Sequence, residues 1–286
     1  ILESCEYHDS FLYFCPTIAV ILDIEADHLD YFSDLEDVKR SFREFAAKVP
    51  ERGKIVANID DRNTMDALAP LGRELFTFGL TDKADVYARN IHRVGANSEF
   101  DIYCHGKLFT SVTLHIPGIH NVKNALAATA ACICLGVRPN AVKYGLAGFN
   151  GAGRRFEFKG KFNGADVYDD YAHHPGELKA LLDAVEPLGY KRTILVFQPH
   201  TYTRTAALLQ LSRPDITFLA EIYAAREHNT LGISSADLAQ HIPGCRFFPD
   251  FGQIEEALRE TARPGDIILT VGAGDVYKIG EHLVNG

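Results

Sequence analysis

A chain of 286 residues, 47% hydrophobic and 23% charged, has enough apolar material for one large domain or two ordinary ones. Its formal net charge of −9 lacks the basic footprint of a nucleic-acid binder. No apolar run approaches the roughly eighteen residues of a membrane span, and no signal peptide opens the chain. Six cysteines, at 5, 15, 104, 132, 134 and 245, form no CxxC pair, and several sit in apolar runs, which fits free thiols in a reducing cytosol.

The chain starts at Ile1-Leu2-Glu3, which reads as the end of a buried strand, and its only methionine is Met65. This is expected of the downstream part of a longer protein. Thr17 to Ile24 is a continuous apolar run with β-branched residues, the pattern of a strand buried on both faces in a parallel sheet. Glu25-Ala26-Asp27-His28-Leu29-Asp30 follows it. Ser33-Asp34-Leu35-Glu36 resembles a capping box. The helix after it, over Leu35 to Val49, spaces Leu35, Val38, Phe42 and Phe45 at helical intervals. Lys54 to Asn58 reads as a strand and Asp60 to Asn63 as the start of a helix. From Tyr87 to Ile116 weak alternation predicts a small antiparallel patch. An alanine-rich helix over Val122 to Leu135 stops at Gly136, and a shorter helix spans Ala141 to Leu146. Phe149-Asn150-Gly151-Ala152-Gly153 is small and flexible, so the domain boundary is placed there: 1–150 and 151–286.

The second part alternates strand and helix. Strands are predicted at Phe156–Phe158, Ala165–Tyr168, Thr193–Phe197, Thr217–Ala220, Arg246–Phe248 and Asp266–Val271. Helices are predicted at Glu177–Val185, Ser234–His241, Ile254–Thr261 and Asp275–Leu283. This order implies a Rossmann-like parallel sheet. Asp169-Asp170-Tyr171-Ala172-His173-His174-Pro175 falls at a strand-to-helix switch, where open α/β sheets hold ligands. Each residue alone is equally at home in a turn or helix cap; the group together points to a site. Glu3 and His28, each near a strand end, suit a divalent ion. They also suit a capping carboxylate and a structural histidine. Arg154-Arg155 beside the glycine turn suits phosphate charge or a solvated surface pair. The run Gln198 to Thr205 opens a helix whose N–H groups could face an anion, with His200 and Arg204 as charged contacts. Val271-Gly272-Ala273-Gly274-Asp275 looks like half a dinucleotide fingerprint, but tight-turn packing explains it better. There is no G-x-x-x-x-G-K-[ST], G-x-S-x-G or H-E-x-x-H segment. The residues themselves therefore lead to a two-domain α/β protein with a cleft at the 149–155 hinge, suited to phosphorylated anionic ligands.

Several stretches, taken in order, resemble the Mur ligase family. They are Glu3 to Tyr7 with Ser10-Phe11-Leu12, Ile24 to Asp30, Gly118 to Ala125, Gly153 to Glu157, Asp169 to Pro175, Gln198 to Thr205, and Ile222 to Glu227. The Asp-Tyr-Ala-His-His-Pro and Gln-Pro-His runs are similar to those of the family members that join L-alanine to UDP-N-acetylmuramate in peptidoglycan precursor synthesis. The resemblance implies an α/β fold: the later part of a central ATPase domain, mostly parallel with a small antiparallel patch, then a C-terminal Rossmann-like domain. It implies ATP and Mg2+ as cofactors, and an acyl phosphate that the amine of L-alanine attacks.

By the same resemblance, Glu3 and His28, 25 residues apart, match the metal-site pair. His120, Asn121 and Asn124 match positions near the adenine, Arg155 the arginine that reaches the ATP phosphates, and Asp170 a further nucleotide contact. Tyr171, His173, His200 and Arg204 match the face that meets the muramate and L-alanine; Arg155, His173, His200 and Arg204 are the expected catalytic set. The chain departs from the family at three places. The phosphate-binding loop is absent and is expected upstream of Ile1, so the chain alone is expected to be inactive. Thr201 stands where an arginine is familiar. Thr205 to Ile222 is a few residues short. Two other readings are a ligase that recycles muropeptides onto UDP-N-acetylmuramate, and a noncatalytic module binding a nucleotide or UDP-sugar. The expected setting is the bacterial cytoplasm, with no nucleic-acid or membrane partner.

Overall fold

The computed structural model describes residues 1–201, 209–225, 228–229 and 232–286. Arg204, and with it most of the run after His200, lies outside the described residues. The chain divides into two units. One comprises Ile1–His115 with Ile119–Phe149, the other Ile116–Gly118 with Asn150–Gly286.

The first unit holds β1 (Ile18–Ile21), α1 (Leu35–Ala47), β2 (Lys54–Asn58), α2 (Arg62–Leu68), β3 (Leu75–Gly79), β4 (Val86–Val94), β5 (Asn97–Cys104), β6 (Lys107–Leu114), α3 (Ile119–Cys134) and α4 (Pro139–Ala147). Its six strands pair in sequence order. β1 to β4 run parallel, and β4, β5 and β6 form the antiparallel patch that the alternation foretold. α1 starts at Asp34, whose side chain accepts from Asp37 N, and Asp37 in turn accepts from Ser33 N. The cap thus sits one residue later than Ser33. α1 buries Val38, Phe45 and Ala46 against Phe11, Ile21, Ile55 and Leu68, the larger of these side chains each worth roughly 1.5–3 kcal/mol on burial. Asp61 caps α2 through Thr64 N (2.7 Å) and also accepts from Ile24 N (3.2 Å), which ties the end of the β1 segment to α2.

Two expectations need correction here. Residues 1–6 pair with no strand, and Ile1, Leu2 and Glu3 are exposed. β1 is the outermost strand and pairs only with β2, so no ladder reaches them. For the same reason the run from Thr17 to Ile24 is not covered on both faces: Ala19 and Ile21 are buried, but Val20 and Leu22 are exposed. The sequence reading also passed over β3, a five-residue strand in which Thr77 stands among apolar neighbours. Asp85 accepts from both the N–H and the hydroxyl of Thr77, at 2.7 Å each.

The second unit holds β7 (Glu157–Phe162), β8 (Ala165–Asp170), α5 (Pro175–Val185), β9 (Thr193–Phe197), β10 (Ile216–Leu219), α6 (Ser235–Gln240), β11 (Cys245–Phe247), α7 (Phe251–Thr261), β12 (Ile267–Val271) and α8 (Tyr277–Asn285). The strand order is β11-β10-β9-β12-β8-β7, parallel throughout except for β7, which pairs antiparallel with β8 at the edge. Alternate residues serve opposite faces. Ile194 and Val196 of β9 pack with Ile254, Leu258, Ile279 and Leu283 of α7 and α8. Leu195 and Phe197 pack with Leu178, Leu181 and Leu182 of α5. Helices on both faces explain why these strands read as unbroken apolar runs. From β9 the chain steps outward to β10 and β11, then returns as β12 on the other side of β9. The carboxyl ends of β8, β12 and β9 therefore meet at the point where the strand order reverses. Among the described residues no helix is long and apolar enough to cross a membrane.

Candidate active site

In the first unit a short helical turn, Tyr7–Tyr13, passes through left-handed backbone at His8 and Asp9 (φ 54° at both). The turn docks on the loop after β1. Tyr7 stacks on the His28 ring at 4.5 Å and donates its hydroxyl to Asp30 at 2.7 Å, while Tyr31 donates to Asp9 at 2.6 Å. His28 itself has φ 54°. This docking brings Glu6, Asp27 and His28 together, with one donor atom of each within 4.8 Å of the others. Nε2 of His28 lies 3.6 Å from Glu6 and 3.9 Å from Asp27. Two carboxylates and an imidazole fit a divalent cation, the oxygens suiting magnesium. Glu3 is exposed and lies outside the trio. Glu6 and Asp27 were passed over in the sequence, although each stands within a run already singled out.

The three adenine-side candidates share the first turns of α3. His120 and Asn124 are four residues apart, and Asn121 and Asn124 three, so they occupy one side of the helix. The amide of Asn124 reaches toward Asn121 Oδ1 at 3.5 Å. Next to them, Lys123 lies 3.9 Å from Asp60.

In the second unit the neighbouring arginines have different partners. Arg154, at φ 58°, donates through Nε to Asp169 (2.9 Å) and through a terminal nitrogen to the Gly272 carbonyl (2.6 Å). Its guanidinium lies 5.0 Å from the Tyr171 ring and 4.6 Å from the Tyr277 ring. Arg154 is thus tied to the fold by two hydrogen bonds and two aromatic rings. The side chain of Arg155 is 53% exposed, lies 5.5 Å from Tyr171 and makes a 3.2 Å contact with Glu177.

The adjacent aspartates likewise diverge, because strand residues alternate faces. Asp169 is fully buried and accepts from Arg154 and from Thr270, its ladder partner on β12 (2.9 Å). Burial pushes its carboxyl up, against the pull of Arg154 and the Thr270 hydroxyl. Asp170 accepts from Phe156 N (2.7 Å) and Ala172 N (2.8 Å). Burial pushes it up to about 6, even though those N–H groups and the Arg155 charge oppose the shift.

Beyond β8, His174 is the cap of α5, and Glu177 completes a capping box with it. The cap of this helix is therefore a histidine, not one of the aspartates. Past it runs a row of rings: Tyr171 to His173 at 5.5 Å, His173 to His200 at 5.2 Å, and His200 to Tyr223 at 5.7 Å. The row is held where β9 and β10 end, with Tyr223 N donating to Pro199 O and Thr201 N to Tyr223 O. Asp170, Tyr171, His173 and His200 thus come together, with Arg155 against Tyr171. A cavity of about 350 Å³ lies at the far end of the row, lined by Gln198, Glu221, Tyr223 and Asp250 among others. Gln198, which opens the run singled out after β9, is among its lining residues. The turn at Gly272 and Gly274 is packed tightly against Gln198, which bears out the tight-turn reading.

Comparison with known proteins identifies the two halves. The Mur ligase middle domain matches residues 2–132, and the Mur ligase glutamate ligase domain matches residues 154–274. The chain belongs to the Mur ligase family. It is 44% identical to a UDP-N-acetylmuramate–L-alanine ligase of Caldanaerobacter subterraneus, over 99% of this chain and 64% of that protein. The chain thus spans somewhat under two thirds of the length of that Mur ligase. Its fold is similar to the crystal structure of a UDP-N-acetylmuramate-alanine ligase from Thermotoga maritima, with a TM-score of 0.76 at 24% identity over 97% of this chain and 61% of the other. It is also similar to a murein peptide ligase from Psychrobacter arcticus, with a TM-score of 0.67 at 23% identity over 96% and 58%. At those identities the structures establish the Mur ligase fold. Every described candidate residue lies inside one of the two matched Mur ligase domains.

Proposed function

We propose that this chain is the middle and C-terminal part of an ATP-dependent ligase that joins L-alanine to UDP-N-acetylmuramate in the bacterial cytoplasm. The observation that carries this reading is the 44% identity to a protein of that name across 99% of the chain. The identity favours alanine addition over muropeptide recycling, because the murein peptide ligase supports the fold alone.

In this reading the muramoyl carboxylate attacks the γ-phosphorus of ATP, giving an acyl phosphate and ADP. The amine of L-alanine, after losing a proton from its ammonium form, attacks the acyl carbon; phosphate leaves and the amide remains. A magnesium ion, when bound, would offset phosphate charge. His28 would hold it with the carboxylates grouped around it, Glu6 and Asp27, and with Glu3 by family likeness. His120, Asn121 and Asn124 take the adenine side. Arg155 takes phosphate charge, since its guanidinium is half exposed while that of Arg154 is occupied. Asp170 contacts the nucleotide. Tyr171, His173, His200 and Arg204 meet the muramate and the incoming amino acid, and an imidazole is suited to take the ammonium proton near neutral pH.

The test is binding and product formation. With magnesium and ATP added to the isotope-labelled full-length protein, resonances of Asn121, Asn124 and Arg155 are expected to shift. Because the phosphate-binding loop is not in this chain, the deciding measurement is made on the full-length protein: a full-length spectrum that magnesium-ATP leaves untouched would defeat the proposal. Where ligation is assayed, L-alanine and not a free muropeptide is the amine consumed.

A further inference from the structure

We propose that Glu177 is a positioning residue that directs the Nδ1 proton of His173 and anchors Arg155. The proposal deepens the ligase reading above and rests on it for the roles of those two side chains.

Glu177 lies in the first turn of α5, and both of its oxygens are used. Oε1 receives Arg155 at 3.2 Å. Oε2 receives His173 N at 3.0 Å and His174 N at 3.3 Å, and lies 3.3 Å from His173 Nδ1. The same Nδ1 lies 3.0 Å from the Tyr171 carbonyl. A carbonyl and a carboxylate can only accept, so the hydrogen belongs on Nδ1 in both the neutral and the charged ring. In the neutral ring the basic lone pair is then on Nε2. A His173 so oriented can take the proton that the alanine ammonium must lose.

The link to Arg155 follows from the same carboxylate. Burial pulls the Glu177 carboxyl up. The His173 charge, the His173 and His174 N–H groups and Arg155 outweigh that pull and hold it below the usual carboxylate range, so it is ionised at neutral pH. The other groups nearby are Asp170, whose carboxyl the Glu177 charge pushes up, and the rings of Tyr171 and His200 against His173. When Arg155 turns to a phosphate, Glu177 keeps two backbone donors and is not left as an unpaired buried charge. Arg155 is therefore held in place by a contact it can give up.

The test uses the 286-residue chain labelled with 15N, as wild type, Glu177→Gln and Glu177→Asp, with His173→Asn to assign the ring signals. Gln at this position retains a capping acceptor, and thermal melting checks that each variant folds. The expected wild-type pattern is Nδ1–H. In Glu177→Gln the His173 titration midpoint is expected to fall by about one pH unit, roughly tenfold in proton affinity, and Glu177→Asp is expected to recover at least half of that. An Nε2–H pattern in the wild type overturns the inference, as does an unchanged midpoint in Glu177→Gln or an equal fall in both variants. If Glu177→Gln does not fold, the wild-type tautomer and Glu177→Asp decide. Magnesium-ATP added to the wild type separates the two proposals. In the full-length protein, which is where ATP binding is read, no shift at Arg155 with the His173 results intact removes the ligase reading alone. A shift at Arg155 with His173 indifferent to Glu177 removes this inference alone.

Discussion

Arg154 donates to the fully buried carboxylate of Asp169 at 2.9 Å, while the next guanidinium in the chain, that of Arg155, is half exposed to solvent. The sequence shows two equivalent arginines; the fold ties one to a buried carboxylate and leaves the other half exposed beside Glu177. Arg154→Ala strands Asp169 in the core and is expected to cost about 3 kcal/mol of stability. Arg155→Ala is expected to leave stability within about 0.5 kcal/mol and, in the full-length protein, to weaken ATP binding by about tenfold. Urea denaturation and calorimetric titration measure the two effects. Equal destabilisation by both substitutions would contradict the division of roles.

Asp170 makes a pH prediction whose sign is fixed. Its folded-state pKa, about 6, is raised above the ordinary 3.8 by burial. The folded chain therefore binds that proton more tightly than the unfolded chain does. Its stabilising contribution is fully present below about pH 4 and is lost as pH rises through 6. Relative to Asp170→Asn, wild-type stability is expected to fall by roughly 2–3 kcal/mol between pH 4 and pH 8. Chemical denaturation of both proteins across that range reads the difference directly. A difference that stays flat would show that Asp170 titrates normally.

The trio of Glu6, Asp27 and His28 makes a metal-binding prediction. Manganese, used as a paramagnetic probe, should broaden the amide signals of all three residues at concentrations that leave α8 untouched. His28→Asn and Glu6→Gln are each expected to weaken manganese binding by roughly tenfold or more, and Glu3→Gln by less. A larger effect of Glu3→Gln would assign the carboxylate role to Glu3.

Gly272 tests the turn after β12. Its φ is 147°, and a Cβ there would come within 2.6 Å of the Gln198 carbonyl, which is backbone and cannot swing aside. Gly272→Ala is expected to destabilise the chain by about 2 kcal/mol or more. At Gly274 the intruding methyl would meet the Gln198 side chain and, at 2.8 Å, the Tyr223 ring. Melting temperatures of both variants measure this; an unshifted Gly272→Ala would mean the turn has slack.

Much of the architecture was legible in the sequence because it depends on short-range patterns. Predominantly apolar runs such as Thr193–Phe197 and Ile267–Val271 mark strands covered by helices on both faces, and those strands lie at the centre of their sheet. The weak alternation after Tyr87 marks the antiparallel patch. Motif runs pointed to Asp170, Tyr171, His173 and His200, which the fold gathers at the strand ends. Other features depend on which residues meet across the fold, and local pattern cannot carry that. The partner that satisfies Thr77 of β3 is Asp85, eight residues away and past a turn, a pairing that no local pattern announces. Glu6 and Asp27 join His28 only because Tyr7 stacks on that histidine and its turn docks on the loop after β1. Composition supplied the charges and the apolar residues, but burial and geometry assigned the partners: Asp169 to Arg154, Glu177 to Arg155 and His173. A charge takes its role from what surrounds it in space, and in this chain those surroundings come from residues as far apart as Arg154 and Gly272.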